Sequence, residues 1–356
     1  MKILLMDNFY ARETHGIIGM GTEGGFIVEK LALVLSYISF YRYLVVTLFF
    51  AILAYSGMFK MFEAFNDMMP GHDKQLALFI LFFPSMTVYG SGILKDTLCM
   101  AAIGWLLYSS HQLIAKRNYK PRYFIILLLC LTAIGFIKIY IIAAFIPAYV
   151  LYLIILLVKK IKNTLVRKLI LPIMLLMATG TYFFFQDGID NALGAYSIDN
   201  IFKTVIEQQF IYMTAEDAEE GSLFSIGQFE PTLGGFIKKM PVGIVVTLYR
   251  PFIWESKKLI MLFAALENLF LLWFTLYVVY KTGFWKFLKT IANDPFILLC
   301  ITFTLFFAAL VGMSTPNFGT LVRYRLPLLP FFTCGLLAIL YHEKKVIPGK
   351  LSENTA

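Results

Sequence analysis

Two segments between apolar stretches carry charged side chains that could bind a phosphate group. Lys95 and Asp96 lie in one segment, and Asn317, Arg323 and Arg325 lie in the other. An arginine guanidinium stays charged at any working pH and binds phosphate oxygens through paired hydrogen bonds. We therefore predict that Lys95, Asn317 and the two arginines bind a pyrophosphate head group. The alternatives are an ordinary helix-hairpin turn at Lys95 and Asp96, and snorkelling of the arginines to lipid phosphate.

A third segment, residues 248–256, combines aromatic side chains with Arg250 and Glu255. Aromatic faces stack on sugar rings, and a carboxylate can accept the proton of an attacking hydroxyl as a general base. We predict that Arg250 contributes to substrate binding and that Glu255 or Asp96 is the catalytic carboxylate. The alternative for this segment is an aromatic belt at the membrane interface.

The sequence predicts neither a cofactor nor a bound metal. The four histidines are scattered, and the four cysteines lie in or beside apolar runs without paired spacing. No Gly-rich phosphate loop of the G-x-x-x-x-G-K-[ST] type is present, which argues against direct ATP hydrolysis. The energy for any reaction would therefore come with an activated substrate such as a lipid-linked sugar.

The composition requires that these residues be positioned by membrane helices. The chain is 59% hydrophobic and 15% charged, whereas a soluble domain has about 25% charged residues, so a soluble enzyme is excluded. About 20 apolar residues cross a bilayer as a helix, and we predict an all-α polytopic membrane protein with about nine transmembrane helices. The predicted spans are residues 43–59, 75–90, 97–115, 122–137, 139–158, 168–186, 259–281, 296–312 and 326–341.

The distribution of basic residues predicts the orientation of the chain. Lys and Arg cluster in the short loops 116–122 and 159–168, which the positive-inside rule places in the cytoplasm. The net charge of +9 is thereby explained without nucleic acid. Lys138 lies between two apolar runs, and we predict that it forms the tip of a tight helical hairpin; one long tilted helix is the alternative.

The nine predicted spans, oriented by the positive-inside rule, divide the chain into segments. This orientation places a long loop and the N-terminus outside, and we infer either a missing upstream span or an extra crossing at 26–42, with the missing segment preferred. The predicted segments are an outward N-terminal part (1–42), a first bundle (43–186), an extracytoplasmic loop with interfacial pieces (187–258), a second bundle (259–341) and a cytoplasmic tail (342–356).

Four motifs resemble those of a known group of proteins: FPSMTVYGSGILKDTL, EPTLGG, LYRPFIWES and TPNFGTLVRYRLPLLPF. The chain, from about residue 26 to 341, resembles multi-span bacterial membrane proteins of surface-polysaccharide biosynthesis, which are related to oligosaccharide repeat-unit polymerases and GT-C-type glycosyltransferases. The resemblance implies glycan assembly at the outer face of the bacterial cytoplasmic (inner) membrane. It also implies a polyprenyl-phosphate-linked sugar substrate, contact with membrane lipids and glycan-assembly partners.

These observations predict a polymerase or glycosyltransferase that joins lipid-linked glycans. A transporter or flippase of lipid-linked oligosaccharide is the first alternative, and a non-catalytic scaffold of an assembly complex is the second. Transport would need charged residues along several spans, and the sequence has chiefly Glu267 within them, with Lys138 near a hairpin tip. We therefore favour transfer over transport.

Overall fold

The structure is a computed structural model that describes residues 23–161, 203, 205–207, 209–210, 223–227 and 229–346. Within these residues the regular structure is helical, apart from an isolated β-bridge between Leu223 and Asn317. This confirms the predicted all-α fold. The predicted span 168–186 and the boundary between 186 and 187 lie outside the described residues.

Twelve α-helices are numbered here in chain order. They are α1 (Glu23–Ile38), α2 (Tyr43–Met68), α3 (Asp73–Leu81), α4 (Pro84–Gly90), α5 (Lys95–Ser110), α6 (Pro121–Lys160), α7 (Leu233–Tyr249), α8 (Leu259–Thr282), α9 (Phe284–Asn293), α10 (Pro295–Ser314), α11 (Phe318–Tyr324) and α12 (Leu329–Val346). A π-helical turn, His111–Ala115, extends α5, and short 3-10 turns lie at Ile253–Glu255 and Leu326–Leu328.

Six helical segments of the described chain are long and apolar enough to cross a membrane. They are α2, α5 with its π-helical turn, α6, α8, α10 and the segment formed by α11 and α12. The multi-pass character is therefore confirmed, while the count of nine stays a prediction. The residues of the predicted span 75–90 do not form one helix. They form two short helices, α3 and α4, which Phe82 and Phe83 separate.

The contacts divide the chain into two compact units. Unit 1 comprises residues 1–145 and 322–334, and unit 2 comprises residues 146–321 and 335–356.

In unit 1, α2 and α5 pack closely and run parallel. A Cβ atom on Gly57 would lie 2.1 Å from the Ala101 carbonyl oxygen, and one on Gly104 would lie 1.9 Å from the Gly57 oxygen. Ten residues after Gly57, the Asp67 carboxylate binds the Lys116 ammonium group at the far end of α5. Two parallel helices begin at the same end of the unit, so the chain that leaves the far end of α2 must return to the first end before α5 begins. The broken helix pair α3 and α4 makes that crossing.

Helix α6 is interrupted at Lys138, whose φ of −152° and ψ of 78° are not helical. With 40 residues, the helix would be about 60 Å long if straight, twice the thickness of the hydrocarbon core. Across the interruption, a Cβ atom on Gly135 would lie 3.8 Å from the Ile142 side chain. Residues seven apart on a straight helix are about 10 Å apart along its axis, so this contact indicates that the chain bends sharply at Lys138.

An aromatic contact shows the direction of the bend. The Phe145 ring lies 6.4 Å from the Phe331 ring, which in turn lies 5.3 Å from the Phe65 ring. Phe65 lies near the end of α2 that carries Asp67, where α6 also begins. A straight α6 would place Phe145 about 10 Å beyond Lys138, away from that end. The contact favours the predicted hairpin over one long tilted helix.

In unit 2, α7 packs antiparallel to α10. The Thr247 hydroxyl donates to the Ala308 carbonyl oxygen at 2.7 Å, and a Cβ atom on Gly312 would lie 2.1 Å from the Gly243 oxygen. Since Thr247 is level with Ala308, Arg250 is level with a position about midway along α10. The later part of the predicted outward loop 187–258 is thus a helix that packs along a membrane-spanning helix.

Candidate functional site

Asp96 is the centre of a buried charge cluster in unit 1. Its side chain is 1% exposed, and each carboxylate oxygen accepts a hydrogen bond from a different cation. Lys138 Nζ lies 2.5 Å from Oδ1, and Arg323 Nη2 lies 3.1 Å from Oδ2. Lys138 is 5% exposed, whereas Arg323 is 34% exposed. The cluster therefore has a closed interior and one accessible cation.

Helix ends position the three charges. Asp96 lies in the first turn of α5 and Arg323 in the last turn of α11, so the helix dipoles favour the negative and the positive charge, respectively. Lys138 lies at the interruption of α6, where the backbone leaves the helical path. The Thr97 hydroxyl donates to the Gly92 carbonyl oxygen at 2.6 Å and holds the non-helical segment before α5 in place.

Aromatic rings surround the buried ammonium group. Lys138 Nζ lies 3.6 Å from the centroid of the Tyr324 ring and 5.8 Å from that of Tyr140. A cation over an aromatic face is attracted to its negative quadrupole, more strongly when water is excluded. The rings and Asp96 together hold Lys138 in place, and Lys138 in turn positions the Asp96 carboxylate.

The cluster carries an excess positive charge. Asp96 supplies one negative charge against the two positive charges of Lys138 and Arg323. The half-buried Lys95 lies near this group, with the carboxylate of Glu29 close to it. The structure therefore brings together Asp96 and Arg323, which the sequence predicted as site residues. Arg325 is fully buried, so its predicted role in binding a head group is less favoured than that of Arg323.

The cluster lies well inside the end of α2. Gly57 on α2 is level with Ala101, which lies five residues after Asp96, while Tyr43 at the start of α2 lies fourteen residues before Gly57. At 1.5 Å per residue, Asp96 is about 13 Å inside the end of α2. Charged residues at such depth are functional candidates, and non-helical backbone there is tolerated where it is buried in protein or lines a water-filled cavity.

In unit 2, Arg250 and Glu255 form a second ion pair. Arg250 Nε donates to both carboxylate oxygens, at 2.9 and 3.1 Å, and Nη2 donates to Oε1. The backbone N–H of Phe252 donates to Oε2 at 2.9 Å. The guanidinium group lies 4.9 Å from the Phe224 ring and 5.1 Å from the Phe318 ring. The pair is fixed by hydrogen bonds and by aromatic contacts.

This geometry bears on the predicted catalytic carboxylates. A carboxylate has about four lone-pair positions, and the four hydrogen bonds to Glu255 occupy them. Asp96 is nearly inaccessible and accepts a hydrogen bond from each of two cations. Both carboxylates hold neighbouring cations in place, and a role as general base stays a prediction for each.

Asn317 has a structural role. Its side-chain oxygen accepts hydrogen bonds from the backbone N–H groups of Gly319 at 2.9 Å and Thr320 at 3.2 Å. Asparagine is a preferred residue before a helix because it satisfies unpaired N–H groups of the first turn. Asn317 thereby caps α11, the short helix that ends at Arg323 and Tyr324. Substrate binding by Asn317 stays a prediction.

Sequence reasoning did not place Lys138 in the site. The available signal was a lysine within a long apolar stretch, because such a residue needs a buried partner. Among the residues that the structure describes, no three His, Cys, Asp or Glu side chains are grouped so as to hold a metal ion. No family model, curated protein or solved structure matches the chain.

Proposed function

We propose that this protein is a polymerase or glycosyltransferase of cell-surface polysaccharide assembly in the bacterial cytoplasmic membrane. Its substrates are glycans linked to polyprenyl phosphate or pyrophosphate. The observation that carries the proposal is the excess positive charge around buried Asp96, with one partly exposed guanidinium. A lipid phosphate at a membrane surface is an anion that can reach such a site.

In the proposed reaction, an acceptor hydroxyl oxygen bonds to the anomeric carbon of the donor sugar. The bond between that carbon and the phosphate oxygen breaks, and the lipid phosphate leaves with the bonding electrons. Arg323 and Lys95 stabilise the negative charge that develops on the leaving phosphate. Only one of the five N–H donors of Arg323 is used by Asp96 in this structure. The proton of the hydroxyl passes to a carboxylate, for which Asp96 is the candidate within unit 1.

A cavity in unit 1 supports a lipid substrate. It has a volume of about 210 Å³ and lies beside the break between α3 and α4, lined mainly by apolar side chains of α2, α3 and α4. Met100, four residues after Asp96 on α5, also lines it, and Ser91 lies at its polar part. An apolar cavity next to a cationic cluster fits a molecule with a hydrocarbon chain and a phosphate.

The proposed sidedness follows from the basic loop. Lys116 lies at the end of α5 opposite Asp96, and the loop 116–122 that follows it carries four basic residues. The positive-inside rule assigns that end to the cytoplasm. Asp96 then belongs to the outer half of the membrane, and the C-terminal tail after α12 belongs to the cytoplasm.

The test is transfer by purified protein in liposomes. Lipid-pyrophosphate-linked oligosaccharide is added, and products are weighed by mass spectrometry. We expect longer glycans with wild-type protein and a loss of about 100-fold with Arg323→Ala, the scale for removing one group that stabilises a leaving oxyanion. Arg42→Ala, which removes an exposed arginine at the start of α2, is the matched control. Equal activity of Arg323→Ala and the control would refute the role of Arg323.

A flippase is the second candidate, and one observation favours it. Asp96, Lys138 and Arg323 come from three different segments and meet in one buried cluster, as expected of charges along a transport path. A flippase would move the labelled substrate across the liposome membrane without changing its mass. Translocation without any mass change would replace the transferase proposal by this one.

A further inference from the structure

An open groove lies beside the end of α7 in unit 2. Its volume is about 520 Å³. Four apolar side chains of α7 line it, together with the ion pair and an aromatic stack. The lining residues are Pro241, Val242, Val245, Val246, Arg250, Phe252, Trp254 and Glu255. The polar end and the aromatic wall thus face the same space.

The polar end of the groove is electrically neutral but has unused donors. Arg250 has five N–H groups, of which the Nε–H and one Nη2–H bind Glu255. The other three make no hydrogen bond within the part of the chain that the structure describes. Glu255 cancels the charge of Arg250, so the groove has no net attraction for an anion. It offers hydrogen bonds to a neutral molecule rich in oxygen.

The aromatic wall is rigid and accessible. The Phe252 and Trp254 rings are stacked with centroids 4.8 Å apart and an interplanar angle of 18°. Trp254 is 81% exposed, so one face of the indole is open. An open indole face can pack against the C–H face of a sugar ring.

The position of the groove favours a polar occupant. Arg250 is level with the middle of α10, a helix apolar enough to cross a membrane, and an N–H donor without a partner is costly in a hydrocarbon environment. Water or a ligand with hydroxyl groups removes that cost, because polar surface at membrane depth is tolerated where it lines a water-filled cavity.

We propose that this groove binds a neutral sugar ring of the acceptor glycan, an inference that rests on the proposed function. The ring packs on Trp254, and its hydroxyl oxygens accept hydrogen bonds from Arg250, while Glu255 holds the guanidinium and excludes anions. The groove is therefore chemically distinct from the Asp96 cluster, which has an excess positive charge and suits phosphate.

The test measures binding of neutral methyl glycosides to full-length protein in nanodiscs by saturation-transfer NMR. The probes are the methyl glycosides of glucose, galactose, rhamnose and N-acetylglucosamine, with methyl glucuronide as the anionic comparator. We expect saturable binding of at least one neutral glycoside and weaker binding of the glucuronide. Trp254→Ala is expected to weaken binding about tenfold, on the scale of one aromatic stacking contact. Trp285→Ala, which removes an equally exposed indole on α9, should leave it unchanged.

A second variant tests the polar end. Arg250→Gln combined with Glu255→Gln keeps the groove neutral and removes the guanidinium donors, and we expect binding to weaken about tenfold. Size-exclusion chromatography checks that the variant is folded. Trp254 is largely exposed, so its removal tests the inference even where the double variant fails to fold.

The inference would be overturned by no binding of any neutral glycoside, by tighter binding of the glucuronide, or by equal binding by Trp254→Ala and wild type. Quenching of Trp254 by brominated lipid without a response to glycoside would identify a membrane anchor and also overturn it. The transfer assay separates the two proposals. Transfer without glycoside binding would leave the proposed function intact, and glycoside binding without transfer would leave a sugar site in a protein of another function.

Discussion

The buried charge cluster predicts an unusual order of stability among variants. Asp96→Asn removes the negative charge while Lys138 stays 5% exposed and loses its ionic partner. Removing one partner of a buried ion pair costs about 3–5 kcal/mol. Lys138→Met leaves Asp96 with Arg323 at 3.1 Å, so we expect a smaller cost, about 1–3 kcal/mol. The double variant leaves only Arg323, whose side chain is 34% exposed. We expect it to be more stable than Asp96→Asn alone.

Thermal unfolding in detergent, followed by intrinsic fluorescence, measures this order. For a loss of about 4 kcal/mol in a chain of 356 residues, we expect Asp96→Asn to lower Tm by about 5 °C. Asp73→Asn, which changes an exposed carboxylate in the first turn of α3, is the control and should be nearly neutral. Either of two results would refute this reasoning. One is a Tm for Asp96→Asn within error of the control, and the other is a double variant whose loss of stability equals the sum of the two single losses.

Two further predictions concern packing and sidedness. The Cβ atom of Gly104→Ala would lie 1.9 Å from the Gly57 oxygen, so α2 and α5 must move apart. We expect this substitution to lower the free energy of unfolding by about 1–3 kcal/mol. Gly90→Ala, with no atom within 4 Å of the added Cβ, is the control, and an equal Tm for both would contradict the close packing. All four native cysteines are buried, so single exposed cysteines report sidedness. A membrane-impermeant maleimide should label Tyr41→Cys in intact cells and Lys120→Cys only after permeabilisation; the reverse pattern would contradict the proposed orientation.

The fold class was predictable because long apolar runs leave few alternatives. The predicted spans at 43–59, 259–281 and 296–312 each fall within one helix of the structure, and 97–115 falls within α5 and its π-helical turn. A run of about 20 apolar residues can satisfy its backbone in lipid only as a helix or a closed barrel. The broken crossing at α3 and α4 was not predictable in detail. The sequences of its two halves are apolar enough to resemble one continuous span, and Pro84 was the sequence signal for a break.

The site was predictable only in its parts. Asp96 and Arg323 are 227 residues apart, and no spacing rule joins them. Arg323 and Arg325 looked equivalent in the sequence, yet one is partly exposed and the other fully buried, because α11 ends between them. Asn317 precedes a helix that was not predicted, and its capping role follows from that helix.

The break between α3 and α4 has a mechanical consequence for unit 1. The ends of two short helices meet at Phe82 and Phe83, where the continuous ladder of backbone hydrogen bonds is interrupted. The two halves of this crossing can therefore change their mutual angle without breaking a helix, while the glycine contact between α2 and α5 keeps those long helices at a fixed separation. The volume of the adjacent cavity depends on that angle, so the crossing sets the size of the pocket proposed above for the lipid substrate.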